Sequence, residues 1–222
     1  MTTPRMVQWL LTALAGMTLA AASARADLVI YTDRTTFEAH SQGLQTITFE
    51  GLAPLDSFTF FPSPPGLTQL GVNFQGSPNN LFVIDPGFNP PNFNWNSGQF
   101  LQENSSGGTL SVTLPPGTTA VGLDVSSFNP QSAILQLSTG DVLTVPEPGK
   151  PNFAFIGFTS DVPVTGLSIT ITGNGNPTVD NFSFGLASVG PAAGVPEPGT
   201  LVLTTVGLLG LLGFGGRRRR VP

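Results

Sequence analysis

An all-β fold, an antiparallel β-sandwich, is predicted for residues 27–186 by three observations. Gly and Pro punctuate this stretch at intervals of about 8–12 residues, the spacing of a sandwich or barrel. Between them lie short runs in which apolar and polar residues alternate with period two. The polar positions of these runs are mostly Ser and Thr, so each strand offers one face to a core and one to water, as in sheets packed face to face.

The elements follow in order. Asp33 is placed to cap a single short helix over 34–40, with Phe37 as its core contact. Residues 46–49, 71–74 and 81–84 read as strands. Leu110, Val112 and Leu114 share a face opposite Ser111 and Thr113. Val121, Leu123 and Val125 repeat the pattern, as do Ala133, Leu135 and Leu137. Leu167, Ile169 and Ile171 alternate with Ser168, Thr170 and Thr172. Segments 153–158 and 179–184 complete the set. Residues 173–177, GNGNP, read as a hairpin turn. Residues 145–149, VPEPG, read as a Pro-rich turn between strands.

Composition narrows the function classes. The chain of 222 residues holds no cysteine, which removes disulfides, Cys-zinc sites and thiol nucleophiles. Residues 27–199 carry thirteen acidic side chains against Arg34 and Lys150, a net charge of −11. No basic surface is available to release counterions from a phosphate backbone, which argues against nucleic-acid binding. His40 is the one histidine. A histidine zinc cluster cannot form, and no nucleophile-elbow motif supports a triad. Glu50, Glu103 and Asp180 are the carboxylates considered for glycoside chemistry, and the sequence alone gives no separation between them.

Both ends read as targeting segments. Arg5 precedes an apolar run over 7–22, and Ala24-Arg25-Ala26 supplies small residues at a signal-peptidase site, so residues 1–26 read as a signal peptide. Residues 187–194 form a linker. Val195-Pro196-Glu197-Pro198-Gly199 follows, then an uncharged apolar run over about 200–216, then Arg217, Arg218, Arg219 and Arg220. At about 1.5 Å per residue the run makes a helix of roughly 25 Å, which arginine snorkelling can match to a bilayer. The arginines should remain cytoplasmic.

This tail, residues 195–222, resembles the PEP-CTERM sorting signal of Gram-negative bacteria. Its Pro196-Glu197-Pro198 motif, membrane span and basic end match that family in order and position. The resemblance implies an exosortase as partner, beside signal peptidase. It also implies transient anchoring in the inner membrane, then release to the cell surface or extracellular matrix. Families with this tail accompany exopolysaccharide production and biofilm, so a structural or adhesive role without turnover is expected. The segments VIYTDRTTFEAHSQGLQTITFEGL and FIGFTSDVPVTGLSITITGNGNPTVDNFSFG resemble the jelly-roll-like ectodomains that accompany such tails. That likeness implies first and last strands lying close together.

Two regions of the ectodomain are candidate sites. Strict alternation would put Asp180 on the face of Phe182 and Phe184, where a carboxylate must be paired, hydrogen-bonded or metal-bound. Calcium shared with Glu50 is one solution, with Asp33 a weaker third ligand. A strand-end Asp at a bulge, or one accepting backbone N–H bonds, is the alternative. The second region is the loop 86–99, PGFNPPNFNWNSGQ. Phe93 and Trp95, with Asn94 and Asn96 interleaved, suit glycan contact, since aromatic faces stack on sugar rings and amides bond hydroxyls. The same aromatics folded inward would plug one end of the sandwich. A secreted glycan-binding module is therefore the alternative to the matrix role.

Overall fold

A computed structural model describes residues 27–188. The signal segment, most of the linker and the whole sorting tail, with its apolar span, lie outside the described residues. Within them, no helix is long and apolar enough to cross a membrane.

Fourteen strands form two antiparallel sheets. In chain order they are β1 (Leu28–Tyr31), β2 (Ser41–Ile47), β3 (Phe58–Phe61), β4 (Leu67–Gln69), β5 (Val72–Ser77), β6 (Leu81–Ile84) and β7 (Phe100–Glu103). Then come β8 (Thr109–Thr113), β9 (Ala120–Ser126), β10 (Gln131–Leu137), β11 (Val142–Glu147), β12 (Ala154–Ser160), β13 (Gly166–Ile171) and β14 (Thr178–Ala187). One sheet has the order β1-β12-β9-β14-β7-β6-β3, with β2 also pairing β14; the other runs β11-β10-β13-β8-β5-β4. Both sheets feed one apolar core: Val121, Leu123, Phe158, Phe182 and Phe184 from the first meet Phe74, Leu110, Leu135 and Ile169 from the second. The all-β, sandwich-type expectation holds at this level.

The alternation argument locates most strands because these sheets each bury one face. Leu110 and Val112 are buried while Ser111 and Thr113 are exposed. Helix α1 (Arg34–Ala39) begins at Asp33, whose Oδ1 accepts from Thr36 N–H at 2.8 Å and from Thr36 Oγ1 at 2.7 Å. It ends one residue short of the expected limit; His40 lies beyond it, exposed and stacked on Tyr31.

Two turn expectations are corrected. Residues 145–147 belong to β11 instead of a turn. Pro146 is tolerated because β11 is an edge strand, where a missing N–H breaks no ladder on the solvent side. Residues 173–177 do not close a hairpin. A 3-10 turn over Thr172–Asn174 carries the chain from β13 in one sheet to β14 in the other.

Parts of the outer face of the eight-stranded sheet are covered as well. Gly122 on β9 and Gly157 on β12 are cross-strand partners and form a notch. Phe37 of α1 fills it, fully buried; a Cβ on either glycine would come within 2.7 Å of its ring. At the other end the loop 86–99 folds over the same face. Its one helical turn, α2 (Pro90–Phe93), was not expected from sequence.

Candidate functional site

The candidate site lies on this outer face and has two parts, an acidic fork and an aromatic ridge. The fork exists because β14 changes partner along one edge. Thr178 and Val179 pair with β7, whereas Phe182 to Ala187 pair with β2. Between them the ladder to β9 slips, a β-bulge at Asp180–Asn181 with Asn181 in the left-handed region at φ 45°. Asn tolerates that conformation better than most residues.

The bulge overturns the expected placement of Asp180. Val179, Phe182 and Phe184 all point into the core, so one extra residue has flipped Asp180 to the opposite face. There it stands directly across from Asp124 of β9. Asp180 is 3% exposed. It accepts from Asn181 N–H at 2.7 Å, from Asn181 Nδ2 at 3.3 Å and from the Ser97 hydroxyl. Burial, opposed by these bonds and reinforced by the charges of Asp124 and Glu50, raises its pKa from 3.8 to about 6. Arg34 does not pair with it. Its guanidinium lies 2.9 Å from Asp124, donates to Asn181 O and Ser183 Oγ at 3.2 Å, and sits 4.5 Å from the Phe155 ring centre.

Glu50 does reach this fork, because β2 pairs with β14 and Glu50 follows β2. It is itself exposed, and its Oε1 accepts from Gln99 N–H at 2.9 Å. The approach is close enough that a Cβ at Gly98 would overlap the carboxylate. Asp33 is occupied as the helix cap. Among the described residues, no three acidic or histidine side chains converge to hold a metal ion. Glu103 takes no part in the fork. It alternates with Gln102 toward the inner side of the sheet, fully buried, and accepts from Ser105 N–H and the Ser105 hydroxyl at 2.8 Å. Burial raises its pKa.

The ridge begins where Trp95 lies on Phe100, with ring centres 4.7 Å apart. Trp95 is 3% exposed, and its indole N–H is buried without a partner. It therefore plugs the sheet and offers no face to solvent. Phe93 is half-buried, while Asn94 and Asn96 are exposed. From Phe93 the contacts continue through Phe88 (5.4 Å), Phe58 (5.0 Å) and Phe82 (5.3 Å) to Phe60 (5.4 Å). Phe58 and Phe60 are 40% and 48% exposed on the edge strand β3. Exposed Asn89, Asn92, Asn94 and Asn96 flank the loop end of this ridge.

Lys150 holds the loop in place. Its Nζ donates to Pro91 O at 3.2 Å and Asn92 O at 3.1 Å and faces the Phe128 ring. Asn96 N–H donates to Pro151 O at 2.6 Å beside it. Elsewhere, a cleft of about 190 Å³ lies between residues 46–52 and the β4–β5 turn. That volume is below the range of about 300–1,000 Å³ usual for small-molecule sites.

Sequence reasoning missed β3 and hence Phe58 and Phe60. The signal was present as Phe-Thr-Phe, a period-two pair inside a Pro-rich stretch. It also missed Asp124, Ser97 and Arg34, which only the bulge and the sheet fork bring to Asp180.

No protein-family model matches the chain, and no curated protein does. Among solved structures, a family 6 carbohydrate-binding module is similar over 59% of this chain and 95% of its own, at 17% identity and a TM-score of 0.35. A family 6 module from Clostridium stercorarium, solved with cellobiose, aligns over 62% of this chain and 99% of its own, at 16% identity and 0.34. The K2 adhesin domain of Lys-gingipain aligns over 65% and 100%, at 14% and 0.36. At these scores the likeness carries no ligand, site or activity over to this chain.

Proposed function

We propose that this is an exported glycan-binding β-sandwich, without turnover, that acts at the cell surface or in an exopolysaccharide matrix. The observation that carries the binding part is the aromatic ridge. Phe58 and Phe60 remain 40% and 48% exposed side by side at the edge of the outer face, and four exposed Asn side chains stand at the ridge's loop end. Contiguous exposed aromatics on a surface this polar mark an interaction site. Aromatic faces take up the C–H faces of sugars, and amides both donate to and accept from hydroxyls. The export part rests on residues 1–26 and on Pro196-Glu197-Pro198 with the apolar span and arginine tail. In this reading signal peptidase and an exosortase process the chain, and the jelly-roll-like ectodomain is delivered to the matrix.

The test is affinity electrophoresis of the full chain, in mild detergent, through gels containing polysaccharide. Retardation that falls at least tenfold in apparent affinity for Phe58→Ser/Phe60→Ser is the expected result. A wild type that migrates as fast as the double variant in every gel would remove the binding reading. Trp95→Ala is unsuitable as a binding probe, because a buried ring is lost and stability changes with it.

A further inference from the structure

Resting on the glycan reading of the ridge, we infer that its ligand is an uncharged polysaccharide and that acidic polymers are excluded. The described residues hold twelve acidic side chains and two basic ones, Arg34 and Lys150. Both bases are already engaged by groups of the chain itself. Arg34 is committed to Asp124, Asn181 O and Ser183 Oγ on the fork side. Among the described residues Lys150 is the one cation near the loop, and its ammonium, at the surface, is engaged by Pro91 O, Asn92 O and the Phe128 ring.

The charged groups beside Phe58 and Phe88 are acidic. Asp56, exposed, lies so close to Gly87 that a Cβ there would overlap its Oδ1. Asp85 sits at the start of the loop, accepting from Asp56 N–H at 3.2 Å and Gly87 N–H at 2.9 Å. Both flank Phe88, which touches Phe58. Glu50 stands at the return of the loop. Recognition of anionic sugars relies on arginine forks or free ammonium groups. Here a uronate or sulfate laid on the Phe58–Phe88 part of the ridge would meet the negative charge of Asp56 and Asp85, while the one ammonium near the ridge, at its loop end, is already bonded to Pro91 O and Asn92 O. The amides of Asn89, Asn92, Asn94 and Asn96 suit neutral hydroxyls instead.

The experiment runs the full chain and its Phe58→Ser/Phe60→Ser variant through gels of neutral polymers (β-glucan, xylan, galactomannan) and acidic ones (polygalacturonate, alginate, hyaluronate), at low and high salt. Only retardation lost in the variant counts, because Arg217 to Arg220 give the chain a separate basic end that acidic polymers would engage. The expected result is variant-sensitive, salt-insensitive retardation in at least one neutral gel and none in the acidic gels. Variant-sensitive retardation in an acidic gel would overturn the neutral-ligand inference and leave the glycan reading standing. Absence of variant-sensitive retardation in all gels would overturn both.

Discussion

The two faces of the eight-stranded sheet are built by different means. The inner face is a mostly apolar surface, Val121, Leu123, Val125, Phe158, Val179 and Phe182 among others, interrupted by the buried Glu103. The outer face is assembled from individual devices: a glycine notch under Phe37, a bulge at Asp180–Asn181, and Lys150 holding a loop over Trp95 and Phe100. A surface made of many equivalent contacts absorbs change gradually. A surface made of single devices should fail one device at a time, with separate signatures.

The largest effect tests whether the outer face is structural at all. Phe37 and Phe182 are both fully buried, one on each side of the sheet. Phe37→Ala should cost about 3–5 kcal/mol, the same range as Phe182→Ala, because either leaves an aromatic-sized cavity that the flanking β-structure cannot close. Urea unfolding of the two variants measures this directly. A cost for Phe37→Ala below about 1 kcal/mol would make α1 a loose attachment and confine the cooperative core to the inner face.

The next effect has the opposite sign and concerns the fork. Asp180 has a folded pKa of about 6 against 3.8 as its ordinary value. The folded state then holds a proton that the unfolded chain has already released between these pH values, so stability falls as pH rises from about 4 to 6. Below that window there is no penalty; above it the penalty is complete. Asp180→Asn should therefore stabilise the chain at neutral pH by about 2–3 kcal/mol, at 1.36 kcal/mol per pKa unit, and have no effect near pH 4. Asp124 and Glu50, the neighbouring charges, remain in both proteins. The calcium expectation for Asp180 and Glu50 gives the reverse. With a bound ion, Asp180→Asn would lower the thermal midpoint, and a chelator would lower that of the wild type. Thermal scans of both chains across pH, with and without chelator, decide between them.

These two devices also mark how far the sequence could be read. Inner-face strands such as 110–114, 121–125 and 167–171 were legible because period two survives wherever one face is buried and the ladder is regular. Strict alternation sets Asp180 on the wrong face, and the stated alternative, an Asp at a bulge accepting a backbone N–H, is the arrangement observed. A bulge adds one residue and inverts everything before it relative to everything after, and Asp-Asn carries only a weak local signal of one. Glu50 does stand near Asp180, but through β2 meeting β14; the first strand, β1, pairs with β12 instead of the last. Trp95 and Phe93 were noticed for composition, and their direction was open. The structure turns Trp95 inward because Phe100 and Phe128 provide a site for it. Phe58 and Phe60 escaped notice because Pro and Gly around β3 obscure a strand of only four residues. Regular alternation was thus the legible part, and the pairing of distant strands, with the irregularities it brings, the less legible one.

The smallest effect on stability falls on Lys150, and it separates the loop from the sheet beneath it. The ammonium makes two bonds to carbonyls at the end of α2 and lies over Phe128, all at the surface. Lys150→Met keeps the stem against the ring and removes the charge and both bonds. The expected cost is about 1 kcal/mol, since each such bond is worth little net in water and the charge is partly solvated. Its consequence should be local. Amide exchange over 89–97 should accelerate, while that of β7 and β14 stays at the wild-type rate, because Ser97 and Gln99 still tie the loop's return to Asp180 and Glu50. Accelerated exchange in β14 as well would show that loop and fork open together, and the two devices would then be one. Unchanged exchange over 89–97 would mean that Trp95, packed on Phe100, holds the loop without help from the lysine.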